Sequence, residues 1–224
     1  EDIRYCATNG SWYIWNGTLW EKDIANRMYL LATRVARGIY AESAGTPEQG
    51  KALARWAIAS ENLHTRKAMI ESATPLAAIE LDAFDARENL LNCENGTLEL
   101  DTLTFREHRR DDLLTRSSGV SYDPKASCPR WKDHLSLIFD GDDEYIAGFQ
   151  AMCGYSLLAA NPEQVLFILF GKGKNGKSKT IEVLAAIWGD YAVNIAVNPQ
   201  RIPGKVSGIF LHVTDGTPTW GCVA

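Results

Sequence analysis

Hydrophobic and polar positions change rhythm several times along this chain, and each change predicts an element. Residues 3–20 read as a small β unit. Trp12-Tyr13-Ile14-Trp15 is β-prone, Asn16-Gly17 is a hairpin turn signal and Leu19-Trp20 resumes the strand. Alternation places Trp12 and Trp15 on opposite faces, so at least one of them is expected in the core. From Asp23, read as an N-cap, to about Ala44 the apolar residues Ile24, Met28, Leu31, Val35 and Ile39 recur at helical spacing, and Gly45-Thr46-Pro47 ends that helix. Residues 48–72 read as further helix with Leu53, Trp56, Ala57 and Leu63 on one face, broken by Thr74-Pro75. The rhythm then shortens. Leu90-Leu91-Asn92-Cys93 and Thr97-Leu98-Glu99-Leu100 flank Asn95-Gly96, a second hairpin signal, and Thr102–Phe105 could add a strand. Pro124 and Pro129 mark a connecting segment, and helices are expected at about 130–139 and 143–158. The acidic run Asp140-Gly141-Asp142-Asp143 between them lacks the rest of a calcium loop and reads as a turn capped by Asp142.

The strongest chemical signal lies further on. Gly171-Lys172-Gly173-Lys174-Asn175-Gly176-Lys177-Ser178 fits the Walker A template. The apolar run Val165–Phe170 before it reads as a buried strand, and Thr180–Trp188 after it as an amphipathic helix. That context suits phosphate. Glycines let backbone N–H groups approach the anion, and the helix N-terminus adds partial positive charge at the same place. The candidate nucleotide-binding residues are Gly171, Gly173, Lys174, Asn175, Gly176, Lys177, Ser178 and Lys179. Lys177 is the candidate catalytic residue, reaching the β- and γ-phosphates of ATP, and the Ser178 hydroxyl is the candidate Mg²⁺ ligand. Ile209–Asp215 is strand-like and ends in an acid, which makes Asp215 a weak candidate for a second metal-organising carboxylate or, more plainly, a turn residue.

Composition narrows the alternatives only slightly. The chain has 224 residues, 46% of them hydrophobic and 23% charged, as in ordinary globular proteins, with a net charge of −5. A chain coated in positive charge is excluded, but a local basic track is not. Arg106, Arg109, Arg110, Arg116, Lys125, Arg130 and Lys132 cluster, but acids interleave with them and the group reads as a mixed-charge surface. No apolar run suits a membrane span. The five scattered cysteines lack metal-ligand spacing and suit reduced thiols in a cytoplasmic protein. The chain does not begin with Met and reads as a piece of a longer protein.

Several segments in order carry a resemblance. Trp12–Trp20, then Leu91-Asn92-Cys93-Glu94-Asn95-Gly96-Thr97-Leu98-Glu99-Leu100 followed by His108, then Tyr122-Asp123-Pro124, Cys128-Pro129 and Trp131, then Gly154-Tyr155-Ser156-Leu157, the Walker A residues and Gly189-Asp190-Tyr191-Ala192 resemble the phage and plasmid primase-helicases of helicase superfamily 3, of the poxvirus and satellite-phage type. The resemblance covers roughly residues 3–198. It implies an α+β N-terminal module over 1–128, a helical pair over 129–160 and the start of an α/β P-loop ATPase core over 161–224. It also implies an ATP-dependent DNA helicase of phage, prophage or plasmid origin acting in the bacterial cytoplasm. Such a protein would bind single-stranded DNA and assemble as a homo-oligomer, usually a hexameric ring. After about Asn198 the pattern is lost, which reads as a frameshift or recombination that removes Walker B, sensor and arginine finger. ATP hydrolysis by the chain is then expected near background. The alternatives are a non-catalytic relic or oligomerisation module, and an unrelated P-loop phosphotransferase, whose glycine loop would sit nearer its N-terminus.

Overall fold

The computed structural model describes residues 2–43, 50–158, 163–165, 167–170, 175–193 and 212–214. The chain forms two compact units, Glu1–Phe84 and Asp85–Ala224.

The first unit is α+β. Strands β1 (Ile3–Cys6), β2 (Ser11–Trp15), β3 (Trp20–Lys22) and β4 (Ala78–Ile79) form a sheet in the order β3-β2-β1-β4, antiparallel except for the parallel β1–β4 pair. The predicted Asn16-Gly17 turn is present. Asn16 Oδ1 accepts from the Thr18 and Leu19 N–H groups, and Gly17 sits at φ +102°, where only glycine is unstrained. The expectation for the tryptophans needs correction. Trp12 and Trp15 are both half-buried, and the core aromatic is Trp20, 1% exposed. Trp20 and Tyr13 pack against Phe84 with ring centroids 6.4 and 4.5 Å away.

Helices α1 (Arg27–Ser43), α2 (Gly50–Ser60) and α3 (Leu63–Ala73) complete this unit. Helix α1 starts later than the pattern predicts because Asn26 takes φ +57°. Asp23 still caps it, from four residues outside, its carboxylate accepting from the Arg27 and Met28 N–H groups at 2.8 and 3.0 Å. The expected apolar stripe is displaced. Ile24 and Val35 are exposed, whereas Met28, Ala32 and Ala36, four residues apart, are buried. Of these buried positions, Ala32 and Ala36 are small alanines, which a search for large apolar residues overlooks. The helix expected over 48–72 is two helices. Asn62 ends the first region and caps α3, its Oδ1 accepting from the Thr65 N–H at 2.8 Å. Trp56 and Leu63, assigned to the apolar face, are exposed, while Ala57 is buried.

The second unit begins with the three-stranded antiparallel sheet β5 (Leu90–Cys93), β6 (Gly96–Glu99) and β7 (Thr104–Arg106). The hairpin is where the sequence places it, but its two loop residues are Glu94 and Asn95, and Gly96 already pairs with Cys93. Gly96 serves a different purpose from a turn glycine. A Cβ there would lie 2.5 Å from both the Arg106 carbonyl oxygen and the Phe105 ring. Helices α4 (Pro129–Ile138) and α5 (Asp143–Tyr155) follow at the predicted positions. Pro129 occupies the first turn of α4, and Asp142 caps α5 by accepting from the Glu144 and Tyr145 N–H groups. Strand β8 (Ile168–Phe170), helix α6 (Lys177–Trp188) and strand β9 (His212–Thr214) complete the unit, with β9 parallel to β8. Leu135, Phe149, Met152, Leu184 and Trp188 form one core joining α4, α5 and α6.

Candidate functional site

The turn into α6 holds five of the nine sequence-predicted residues. Asn175, Gly176, Lys177, Ser178 and Lys179 are described, whereas Gly171, Gly173 and Lys174, and the carboxylate candidate Asp215, lie outside the described residues. Gly176 is the N-cap at φ +84°, in left-handed conformation. A Cβ there would sit 2.8 Å from Ile138 Cγ2 and 3.1 Å from His134 Cε1, so both the angle and the space favour glycine. Lys177 opens the helix, is only 8% exposed and donates from Nζ to Asn175 Oδ1 at 2.8 Å. Ser178 and Lys179 are exposed, and the Lys179 ammonium pairs with Glu182 at 2.9 Å along the helix surface. One turn in, Thr180 is 1% exposed. Its hydroxyl donates to the Gly176 carbonyl at 3.1 Å and lies 2.9 Å from His134 Nε2. The sequence reading did not single out Thr180 or His134. A hydroxyl four residues after the glycine is the one signal that could have found the first of them.

The far end of α6 is held as firmly. Its Ile187 carbonyl accepts from the Gly119 N–H at 3.1 Å, and Asp190 donates its N–H to the Ser117 carbonyl at 2.9 Å. The Asp190 carboxylate accepts from the Ser117 N–H at 3.1 Å. Beyond these, the Tyr191 hydroxyl accepts from the Asn92 N–H at 3.2 Å and faces the Arg116 carbonyl at 3.5 Å. Asn92 is fully buried. Its Nδ2 donates to the Arg116 carbonyl at 3.0 Å, and its Oδ1 faces the Thr97 hydroxyl at 3.4 Å and His108 Nδ1 at 2.9 Å. Hairpin β5–β6 and the C-terminal end of α6 therefore belong to one hydrogen-bonded frame.

Burial pushes the Tyr191 phenol up to about 12. A folded value above the unfolded one favours the neutral phenol in the native state, so its contribution is complete below the unfolded value of about 10 and is lost as pH rises through the folded value. Alkaline stability curves of the wild type and Tyr191→Phe are expected to differ by a slope confined to that window, on the order of 2 kcal/mol in total. Parallel curves would show that Tyr191 titrates normally.

Residues 1–140 match the family described as D5 N terminal like. The chain belongs to this family. It is also 27% identical over 117 residues to "Putative helicase 184R" of Invertebrate iridescent virus 6, an alignment covering 50% of this chain and 12% of the relative. To "Putative helicase 121R" of Invertebrate iridescent virus 3 it is 26% identical over 149 residues, covering 62% of this chain and 16% of the relative. The chain thus spans a small part of the length of these relatives.

Within the D5-type region, the basic residues considered for nucleic acid divide. Arg106 is committed internally, donating to both oxygens of the buried Asp112 carboxylate at 2.7 and 3.0 Å and to Glu99 at 2.8 Å. These partners raise its pKa and fix the guanidinium on β7. Arg87 reaches the same Asp112 at 2.9 Å. Arg109, Arg110, Arg116, Lys125, Arg130 and Lys132 are exposed. Among the thiols, Cys6 and Cys93 are buried; burial raises the Cys93 thiol and pushes Cys153 up to about 11, so these last two are poor nucleophiles at neutral pH. Among the described residues, no helix is long and apolar enough to cross a membrane.

Proposed function

We propose that this chain is the part of a helicase- or primase-associated DNA replication protein in which the D5-type region supports the start of a P-loop ATPase core, with ATP and Mg²⁺ held at the turn into α6. The observation that carries the reading is the left-handed Gly176 followed by the buried Lys177 at a helix N-terminus, set after strand β8 and ahead of the exposed Ser178. The residues suit a phosphate. Gly176 leaves no Cβ on the backbone, Lys177 offers an ammonium, and the first N–H groups of α6 have no partners within the helix. Bound Mg²⁺ would neutralise phosphate charge, with the Ser178 hydroxyl as its candidate ligand. Gly171, Gly173, Lys174, Asn175 and Lys179 would complete the cradle. Family membership and the helicase names of two viral relatives support the helicase- or primase-associated part of this reading. For the whole protein we propose single-stranded DNA as substrate, a homo-oligomeric ring as the assembly, a phage, prophage or plasmid origin and a cytoplasmic site of action.

The test is equilibrium binding of a fluorescent ATP analogue with Mg²⁺. Lys177→Ala is expected to weaken binding at least tenfold, about 1.4 kcal/mol, because the ammonium interacts with phosphate rather than with the base. Equal binding by both proteins would remove the Walker A assignment.

A further inference from the structure

The hydrogen-bond directions around Thr180 define a role for a histidine outside the Walker A motif. The Thr180 hydroxyl has one proton. It donates that proton to the Gly176 carbonyl, which already accepts the Thr180 backbone N–H at 2.9 Å. The bond to His134 Nε2 at 2.9 Å must therefore run the other way, with the imidazole donating Nε2–H and Thr180 accepting. His134 in turn stacks on Trp131, ring centroids 5.6 Å apart and planes 28° from parallel, and its Cε1 lies 3.1 Å from where a Gly176 Cβ would be.

This chain of contacts acts on one peptide plane. The Gly176–Lys177 peptide is planar and trans, so its C=O and N–H point in opposite directions. Two hydrogen bonds hold the Gly176 carbonyl along α6 toward Thr180. The Lys177 N–H is thereby aimed out of the helix N-terminus, the direction from which an anion would arrive. His134 fixes the rotor of the hydroxyl that makes one of those two bonds, and its ring, with Ile138, crowds the place where a Gly176 side chain would be.

We infer that His134 is a positioning residue for the phosphate-binding turn, acting through Thr180 and Gly176 to aim the Lys177 N–H at a nucleotide's phosphate. The inference rests on the nucleotide-binding reading given above. It places a determinant of nucleotide affinity on α4, inside the region that carries the D5-type match.

The experiment is the same fluorescent-ATP titration on the whole chain, comparing wild type, Lys177→Ala, His134→Ala, His134→Gln, Thr180→Val and His134→Ala/Thr180→Val. His134→Ala is expected to weaken binding about fivefold to tenfold, since one hydrogen bond in the support is lost. Glutamine, whose amide can donate over a similar reach, is expected to recover at least half of that loss. In the Thr180→Val background His134→Ala is expected to add less than twofold, because the intermediary is already gone. A purely structural histidine would instead lower affinity in both backgrounds alike, would not be rescued by glutamine, and would overturn the inference. Wild-type affinity in His134→Ala, with binding still lost in Lys177→Ala, would also overturn it and leave the nucleotide reading standing. No specific binding in any of the proteins would sink both.

Discussion

Gly189→Ala is expected to lower the stability of the second unit by about 3–5 kcal/mol, well beyond an ordinary surface substitution. Two causes act together. Gly189 takes φ +55° and ψ −123°, a conformation that residues with a Cβ avoid. The added carbon would also lie 2.4 Å from the Gly119 nitrogen, 2.7 Å from the Ser117 carbonyl oxygen and 2.7 Å from the Ser118 carbonyl carbon. All three are backbone atoms, so no side-chain rotation relieves the clash. The same junction is tight from the other side, where a Cβ on Gly119 would meet the Ala186 carbonyl oxygen at 2.2 Å. Relief requires α6 to withdraw, which breaks the bonds from Gly119 to Ile187 and from Asp190 to Ser117. Equilibrium urea unfolding checks this, with Gly148→Ala as the control. Gly148 lies inside α5 with nothing within 4 Å of its added carbon, so alanine there is expected to be neutral or stabilising by up to about 1 kcal/mol. Equal effects at the two positions would mean that the contact between 117–119 and 189–190 is not formed in solution.

The elements of this chain were legible where their signals are local. Asn16-Gly17 and Asp142 act within a few residues of themselves, and each stands where the sequence places it, while Pro129, read as part of the connecting segment, opens α4 itself. The misreadings of burial share one cause, which is that burial depends on partners distant in sequence. The buried face of α1 follows Met28, Ala32 and Ala36, and nothing in the local pattern of Leu31, Val35 and Ile39 announces that. Gly96 was legible as a glycine of the hairpin, but its reason is Phe105 and the Arg106 carbonyl on the next strand. At the candidate site the motif residues from Asn175 to Lys179 could be read directly. The groups that hold them could not, since His134 lies 46 residues before Thr180, and Asn92 lies 99 before Tyr191. Family resemblance marked Asn92 and Tyr191 as pattern positions without giving either a task.

That task yields the second large effect. Asn92→Ala is expected to cost about 3–4 kcal/mol, of which the deleted atoms themselves account for the smaller part. The side chain is fully buried, donates to the Arg116 carbonyl and faces the Thr97 hydroxyl and His108 Nδ1 with its oxygen. Thr97 is 1% exposed, so its hydroxyl loses a partner where water is scarce. The Asn92 backbone has separate duties, its N–H donating to Tyr191 and its carbonyl accepting the Ser118 N–H at 2.7 Å. This separation makes the prediction specific. Asn92→Ala combined with His108→Ala should be sub-additive by at least about 0.5 kcal/mol, because both remove the same contact. Asn92→Ala combined with Tyr191→Phe should be closer to additive, because the phenol bonds to the backbone that alanine retains. Urea unfolding of the singles and doubles reads both couplings. If the two couplings came out equal, the side chain and backbone of Asn92 would be acting as one support, and the assignment of Asn92 Oδ1 to His108 would be wrong. If they differ as expected, the buried asparagine of β5 holds the sheet together by its side chain. The backbone beside it ties that sheet to the segment following α6.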